Sequence, residues 1–518
     1  MNEFMQGLQM LMDPQIILYI FIGLLVGLFI GAVPGLNDTN ILTLFLTIVP
    51  FMEPFPAVML MTSLFVASQT GGSIPAILVN IPGTPSTAAS TFEGFPLTRK
   101  GLGAQALGCS FGSSLLGSCG GGILALIFAP IIGRYALVFG PPEMFMLALF
   151  GMTCVAALAG KSVKRGLLSA VLGLLVGTIG VDYFIGISRS TFGIINLYSG
   201  VPDIPLLLGL FGVGELYNMV MRNAVVDNKS AREEAAKRTS ISGQLEGFRA
   251  AFKNVGTMVM STVIGFVIGV IPGTGATIAS YTCYGMARTK SKKPEKFGTG
   301  HYDGLVATDT ANNSCVPGSI VTALTLGIPG SGTTVLFLSA LLMHNFVPGP
   351  TFFSQHLVEA NCIFIIVVII GIFASLFGIF AAKYLVKVVT LPTYILGTAI
   401  AEFCLTGSFI CANKITDIYI MVFFSLISIF MRKFGYSMPA FLLGIILGPI
   451  IEPNFWRALA ITNNNYSIFF TRPICIFLWI LIVVTLLVPR FMEARQKKIA
   501  KNSQQAKEAE ILADAEEN

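Results

Sequence analysis

The sequence predicts an all-α polytopic membrane protein of about 10–12 transmembrane segments, arranged as two inverted repeats that contain broken helices and re-entrant hairpins. Three observations lead there. Of 518 residues, 54% are hydrophobic and only 11% carry a formal charge, whereas a soluble chain averages about 25% charged residues. Apolar stretches recur from residue 16 to residue 489, which leaves room for one membrane-embedded unit and excludes soluble enzyme folds. A Pro-Gly break appears four times, in matching order in the two halves of the chain.

The net charge of +6 implies no nucleic-acid partner, because in a membrane protein the placement of basic residues matters more than their sum. The nine Cys lie mostly in apolar runs without a C-x-x-C pair and read as small buried hydrophobes, with no disulfide or metal framework. The first 15 residues contain Glu3 and Asp13 but no Lys or Arg. A cleaved signal peptide is therefore not expected, and the N-terminus is expected outside.

Of the 32 Lys and Arg residues, 27 fall in seven groups, at 99–100, 161–165, 222–253, 288–296, 383–387, 432–433 and 490–507. If all seven face the cytoplasm, each interval must hold an even number of crossings or a re-entrant hairpin. The pairs 102–132 and 144–160, 166–182 and 204–220, 391–411 and 418–431, and 438–452 and 472–489 comply. The interval 254–287 breaks at Pro272-Gly273 into halves of about 16 residues, roughly 24 Å each as helix and short of the ~30 Å hydrocarbon core. A re-entrant hairpin fits it, with a tip that must line a protein interior or a cavity. Residues 303–316 are polar yet must help to cross, which confines them to the interior and marks them as functional. The chain thus divides into a first membrane half (1–220), a cytoplasmic loop (221–255), a second, inverted half (256–489) and a charged cytoplasmic tail (490–518).

The repeat motifs fall at 27–40 and 71–90 in the first half and at 265–280 and 303–334 in the second. GLFIGAVPG (27–35) matches GFVIGVIPG (265–273), and GSIPAILVNIPGTPST (72–87) matches GSIVTALTLGIPGSGTT (318–334), both starting Gly-Ser-Ile. Gly27, Gly31, Gly265 and Gly269 read as a helix-packing face. Paired broken helices in inverted repeats point to a secondary transporter with a midplane site.

Each break should expose free N–H groups and the positive end of a helix dipole, which suits an anion. No Lys or Arg lies in the four motifs. The expected substrate ligands are therefore Gly35, Gly83, Thr84, Ser86, Thr87, Gly273, Thr274, Gly275, Gly330, Ser331, Thr333 and Thr334, several of which can equally be helix caps. Asp38 either complements the dipole of the helix that it begins or forms a cation or proton site with Asn37 and Asn40. Asp309, Asn312 and Asn313 offer the same chemistry in the second half. Glu143, Glu215 and Glu402 sit near segment ends and read as interfacial. His301, His344 and His356 have no ligand spacing, and neither an intramembrane protease constellation nor a phosphate-loop Lys is present. No catalytic, metal or cofactor site is expected beyond a coupling Na+ or H+. A passive channel, a stand-alone symporter and an intramembrane hydrolase are the alternative readings.

These motifs carry a resemblance. GAVPGL (31–36), GGSIPAILVNIPGTPST (71–87), GVIPGTG (269–275), FGTGHYDGLVATDTANNS (297–314), LTLGIPGSGTT (324–334) and PGP (348–350) resemble the large membrane subunit of the tripartite tricarboxylate transporters, the TctA type, over about 15–490. The resemblance implies a multi-pass protein of the bacterial inner membrane that imports a carboxylate on a sodium or proton gradient. It also implies two partners, a small membrane subunit of about four helices and a periplasmic solute-binding protein. Asn37, Asp38 and Asn40 stand where the family usually has small or hydroxyl residues, and LFVASQT (64–70) replaces a Tyr-rich stretch. Arg134, Arg189, Lys414, Arg457 and Arg472 lie outside the seven basic groups, where a periplasmic partner would dock.

Overall fold

A computed structural model of the chain describes residues 2–33, 37–136, 138–158, 162–182, 186–214, 216, 239–350, 352–388, 393–410 and 413–487. Pro34, Gly35, Glu215, most of the 221–255 loop, Cys411 and the 490–518 tail lie outside the described residues. The helices run α1 Asn2–Met10, α2 Pro14–Gly31, α3 Asp38–Leu46, α4 Pro54–Val79, α5 Thr91–Arg99, α6 Gly103–Ala136, α7 Pro141–Leu158, α8 Val163–Gly177, α9 Asp203–Leu207, α10 Ile241–Ala251 and α11 Val255–Val270. They continue with α12 Gly275–Lys290, α13 Tyr302–Leu326, α14 Gly332–Met343, α15 Phe352–Gln355, α16 Leu357–Val388, α17 Thr393–Ile410, α18 Ile415–Lys433, α19 Met438–Ile461 and α20 Ile468–Thr471. A 3-10 turn, Pro85–Ser90, precedes α5, and a two-residue hairpin pairs Gly180–Val181 with Ser188–Arg189.

Among the described residues, seven helices are long and apolar enough to cross a membrane: α2, α4, α6, the nearly continuous α10–α11, α16, α18 and α19. Six further apolar helices are shorter, including α3 and α14, which follow breaks, and Pro473–Leu487. Two compact units result, one from Met1–Gly140 and Val176–Phe434, the other from Pro141–Leu175 and Gly435–Asn518.

In the second unit, glycines bring helices to backbone contact. A Cβ on Gly166 would strike the Ala156 carbonyl, and one on Gly173 would strike that of Phe441. Arg472 is bonded there to Glu143 at 2.9 Å, and in the first unit Arg189 pairs with Asp182 at 3.0 Å. Two of the five basic residues outside the clusters are thus held in local ion pairs.

In the first unit, α4 and α13 take the middle. Every residue of α4 from Pro56 to Leu78 and every residue of α13 from Gly304 to Thr325 is buried. For α13 the composition requires this, because a helix reading DGLVATDTANNS cannot face lipid. The apolar helix α2 packs on α4 and the apolar α11 packs on α13.

These two pairs repeat each other in detail. A Cβ on Gly27 would lie 2.9 Å from the Leu64 carbonyl, and one on Gly265 would lie 2.7 Å from the Ala311 carbonyl. Gly31 abuts the Ser68 carbonyl as Gly269 abuts that of Cys315, and Gly71 abuts Leu28 as Gly318 abuts Phe266. Gly83 sits on the Gly31 carbonyl as Gly330 sits on that of Gly269. Both central helices end on a left-handed residue, Asn80 (φ 59°) and Gly327 (φ 69°). These equivalences shift the sequence alignment by one residue: Gly318 corresponds to Gly71, so the two Gly-Ser-Ile triplets are not equivalent. The packing is also reciprocal, since α3 packs on α14 and α12 packs on the 3-10 turn 85–90. Each post-break segment of one repeat therefore meets a post-break segment of the other.

A Cβ on Gly83 would lie 2.7 Å from Gly72 Cα, and one on Gly330 would lie 2.6 Å from Ser319 Cα. Gly83→Ala and Gly330→Ala should each destabilise the purified protein by about 1 to 3 kcal/mol, because backbone must move. Gly256→Ala, where nothing lies within 4 Å, should be neutral or stabilising. Thermal unfolding of the three variants checks this; equal melting of all three would contradict the close backbone approach at the two crossings.

Candidate functional site

The break before α3 and the break before α14 place two carboxylate-centred networks in the first unit. Asn37 caps α3, its side-chain oxygen accepting from the Asn40 N–H at 2.9 Å, which satisfies an otherwise orphan helix donor. Asp38, the first residue of α3, is 8% exposed. Its Oδ2 accepts from Gln69 Nε2 of α4 at 2.8 Å and from Thr333 Oγ1 of α14 at 2.7 Å. Thr39 Oγ1 lies 3.1 Å from Thr333 Oγ1. The Gln69 carbonyl accepts from Ser86 at 3.0 Å, and Ser86 bonds Thr84 at 2.9 Å, so the chain of bonds runs on into the second break. Asp38 thus joins the two repeats through one carboxylate oxygen.

The second network centres on α13. Asp309 Oδ1 accepts from Ser73 of α4 at 3.3 Å and from Ser90 at the end of the 3-10 turn. Asn313 donates to Ser114 of α6 and to the Asp309 carbonyl, each at 2.9 Å, and accepts from Thr70 at 3.2 Å. Asn312, on the same helix one turn beyond Asp309, is fully buried. No Lys or Arg among the described residues forms an ion pair with Asp38 or Asp309.

The remaining expected residues divide. Ser331 caps α14 and accepts from the Thr334 N–H at 3.2 Å, and Thr84 and Thr87 bond each other across the start of the 3-10 turn. Thr274 turns back onto its own chain, donating to the Ile271 carbonyl at 2.9 Å, and does not join either network. Gly273 (φ 75°) and Gly275 (φ 66°) make the left-handed turn there, and the Gly275 N–H bonds the Gly330 carbonyl at 3.2 Å. Gly35 lies outside the described residues.

The two carboxylates, read from the sequence as offering the same chemistry in the two halves, do not occupy equivalent positions in the repeats. In the register set by the glycines, Ala276 stands in place of Asp38, Val316 in place of Gln69, and Thr62 in place of Asp309. The scaffold is doubled and the chemistry is not.

Sequence reading missed Gln69, Ser73, Ser90 and Glu93. Gln69 had a signal, since it lies in LFVASQT, where this chain departs from the family. Glu93 of α5 is fully buried. Its carboxylate accepts from the backbone N–H groups of Gly298, Gly300 and His301 and from Tyr284 Oη. Gly298 (φ 86°) and Gly300 (φ 96°) let successive N–H groups of FGTGH converge on that anion, a backbone nest. The loop before α13 is thereby latched to the segment after the second break.

Long apolar helices around a buried, hydroxyl-rich core define a multi-pass membrane protein. The chain belongs to the tripartite tricarboxylate transporter TctA family, whose model matches residues 17–443. It is 31% identical over 495 residues to an uncharacterized 52.8 kDa protein in the TAR-I ttuC' 3' region of Agrobacterium vitis, an alignment covering 95% of this chain and 97% of that one. It is 28% identical over 234 residues to an uncharacterized protein in the TAR-II ttuC' 3' region of the same organism, covering 45% of this chain and 97% of that one. No solved structure matches the chain significantly.

Glu93→Gln keeps the shape but replaces an acceptor oxygen with a donor that faces N–H groups. It should lower stability by about 2 to 4 kcal/mol, whereas Tyr284→Phe, which removes one bond, should cost about 1. Thermal melts of both variants check this, and equal effects would show that the backbone nest contributes little.

Proposed function

We propose that this chain is the large membrane, or permease, subunit of a binding-protein-dependent secondary transporter that imports an organic carboxylate, a tricarboxylate or a related acid. Import is driven by a sodium or proton gradient across the bacterial inner membrane. The observation that carries the reading is the Asp38–Thr333 bond, which joins the two repeats at the very breaks where helix N-termini converge. An anionic solute would be held by N-terminal N–H groups and hydroxyls of Thr84, Ser86, Thr87, Ser331, Thr333 and Thr334, with Gly83 and Gly330 allowing close backbone approach. Gly35, Gly273, Thr274 and Gly275 complete the set at the other two breaks. The repeats are inverted relative to each other and alternate access as this contact opens and closes.

Membership of the family supports two partners: a small membrane subunit of about four helices and a periplasmic solute-binding protein that delivers the carboxylate. The C-terminus is cytoplasmic and the N-terminus periplasmic in this arrangement, which follows from the grouping of basic residues.

The test is uptake by proteoliposomes that contain both membrane subunits and the binding protein. Accumulation of an organic anion only with a cation gradient and the binding protein is expected; accumulation without the binding protein would indicate a stand-alone symporter, and downhill movement alone a channel. Asp38→Asn should lower uptake at least about tenfold, because the Thr333 and Gln69 donors lose a charged acceptor, while abundance in the membrane stays near normal. Unchanged uptake would return Asp38 to a capping role.

A further inference from the structure

The two networks differ in what they leave unpaired. Beside Asp38, the buried polar atom without a hydrogen-bond partner among the described residues is Asn40 Nδ2, a donor. Around Asp309 they include one nitrogen, Asn312 Nδ2, and three oxygens: Asp309 Oδ2, Asn312 Oδ1 and Ser110 Oγ. All three belong to fully buried residues, and the Ser110 hydroxyl of α6 adjoins the Asp309 carboxyl. Asn312 stands three residues beyond Asp309, on the same face of α13. Buried oxygens without partners are costly unless something electropositive sits among them.

We propose that Asp309 Oδ2, Asn312 Oδ1 and Ser110 Oγ, with the hydroxyls of Ser73 and Ser90 beside them, form a binding site for a monovalent alkali cation, and that Na+ occupies it. A proton on Asp309 Oδ2 gives that atom one bond to donate and so serves at most one of the other two oxygens, whereas an alkali ion can meet all three. The donors are all hard oxygens, with no His or Cys among them, which suits an alkali or alkaline-earth ion over a transition metal. One carboxylate balances a single positive charge, whereas a divalent ion would leave an uncompensated buried charge. Asn313 takes no part, because its amide is already engaged with Ser114, Thr70 and the Asp309 carbonyl. Asp38 is likewise a poor ligand, since its Oδ2 already accepts two hydrogen bonds. As the seat of the coupling ion, the site rests on the importer reading for its role, though not for its existence.

The experiment is equilibrium binding of 22Na+ to the purified full-length chain, with no substrate and no gradient. Saturable binding is expected, competed by Li+ better than by large organic cations. Asp309→Asn and Asn312→Leu should weaken it at least about tenfold, while Asp38→Asn leaves it within about twofold. Ser110→Ala guards against misfolding, because it removes one small hydroxyl beside the carboxyl and leaves the Ser73 and Ser90 bonds in place. It should melt like the parent and still bind Na+ several-fold more weakly. No saturable binding, or binding unchanged in Asp309→Asn and Ser110→Ala, would overturn the proposal, as would loss of binding in Asp38→Asn alone. Failure of uptake together with intact Na+ binding would count against the importer reading and leave the site standing.

Discussion

The rest of the structure depends on one constraint: inside a bilayer there is no water to satisfy a polar group, so each must find its partner in protein. The helix α13 is too polar for lipid and is therefore central, α4 meets it through Thr70 and Ser73, and within the first unit the apolar α2 and α11 pack on this pair. Backbone carbonyls and hydroxyls of the central pair can meet their neighbours only if helices approach closely. That is why Gly27, Gly31, Gly71 and Gly83, and their counterparts Gly265, Gly269, Gly318 and Gly330, stand at the crossings. Close approach and polar satisfaction are one requirement seen from two sides.

A doubled scaffold would be expected to carry doubled chemistry. Here the same glycine framework holds an acidic residue bonded by two donors at one place and an acidic residue with an open oxygen at another. The first joins the repeats, through contacts that cross from α3 to α14. The second is closed in by α4, α6 and the 3-10 turn after the second break. An anion and a cation ask for opposite partners; the unpaired atom near Asp38 is a donor, and those near Asp309 are mostly acceptors. Glu93 adds a third anion whose partners come from a loop backbone, and it ties the start of α13 to the first repeat.

Much of this was legible in the sequence, for physical reasons. Charges are scarce, so Asp38 and Asp309 stood out, and Pro-Gly breaks inside apolar runs leave a pattern that survives divergence. Polar residues in a crossing segment made the burial of 303–316 predictable. The rest was hidden because hydroxyls are common and neutral: nothing in their spacing distinguishes Ser73, Ser90 or Ser110 from a serine that bonds its own helix. Glu93 was hidden because its partners are backbone N–H groups, which every residue has. The repeat register slipped by one because matching Gly-Ser-Ile triplets outweighed the glycine that makes the crossing, Gly71. The grouping of α7, α19 and α20 into a second unit was not readable either, since apolar faces do not name their neighbours.

The two repeats meet at α3 and α14, and in the proposed transport cycle this contact opens for solute to pass. Thr39 and Thr333, whose hydroxyl oxygens are 3.1 Å apart, report on it directly. In the double variant Thr39→Cys, Thr333→Cys, mild oxidation should form an intramolecular disulfide and arrest the uptake that the same variant shows in proteoliposomes when reduced, with recovery on reduction, while the oxidant leaves each single variant at its own rate. A disulfide that forms while uptake continues at its full rate, or a pair that never forms one in folded protein, would contradict the account.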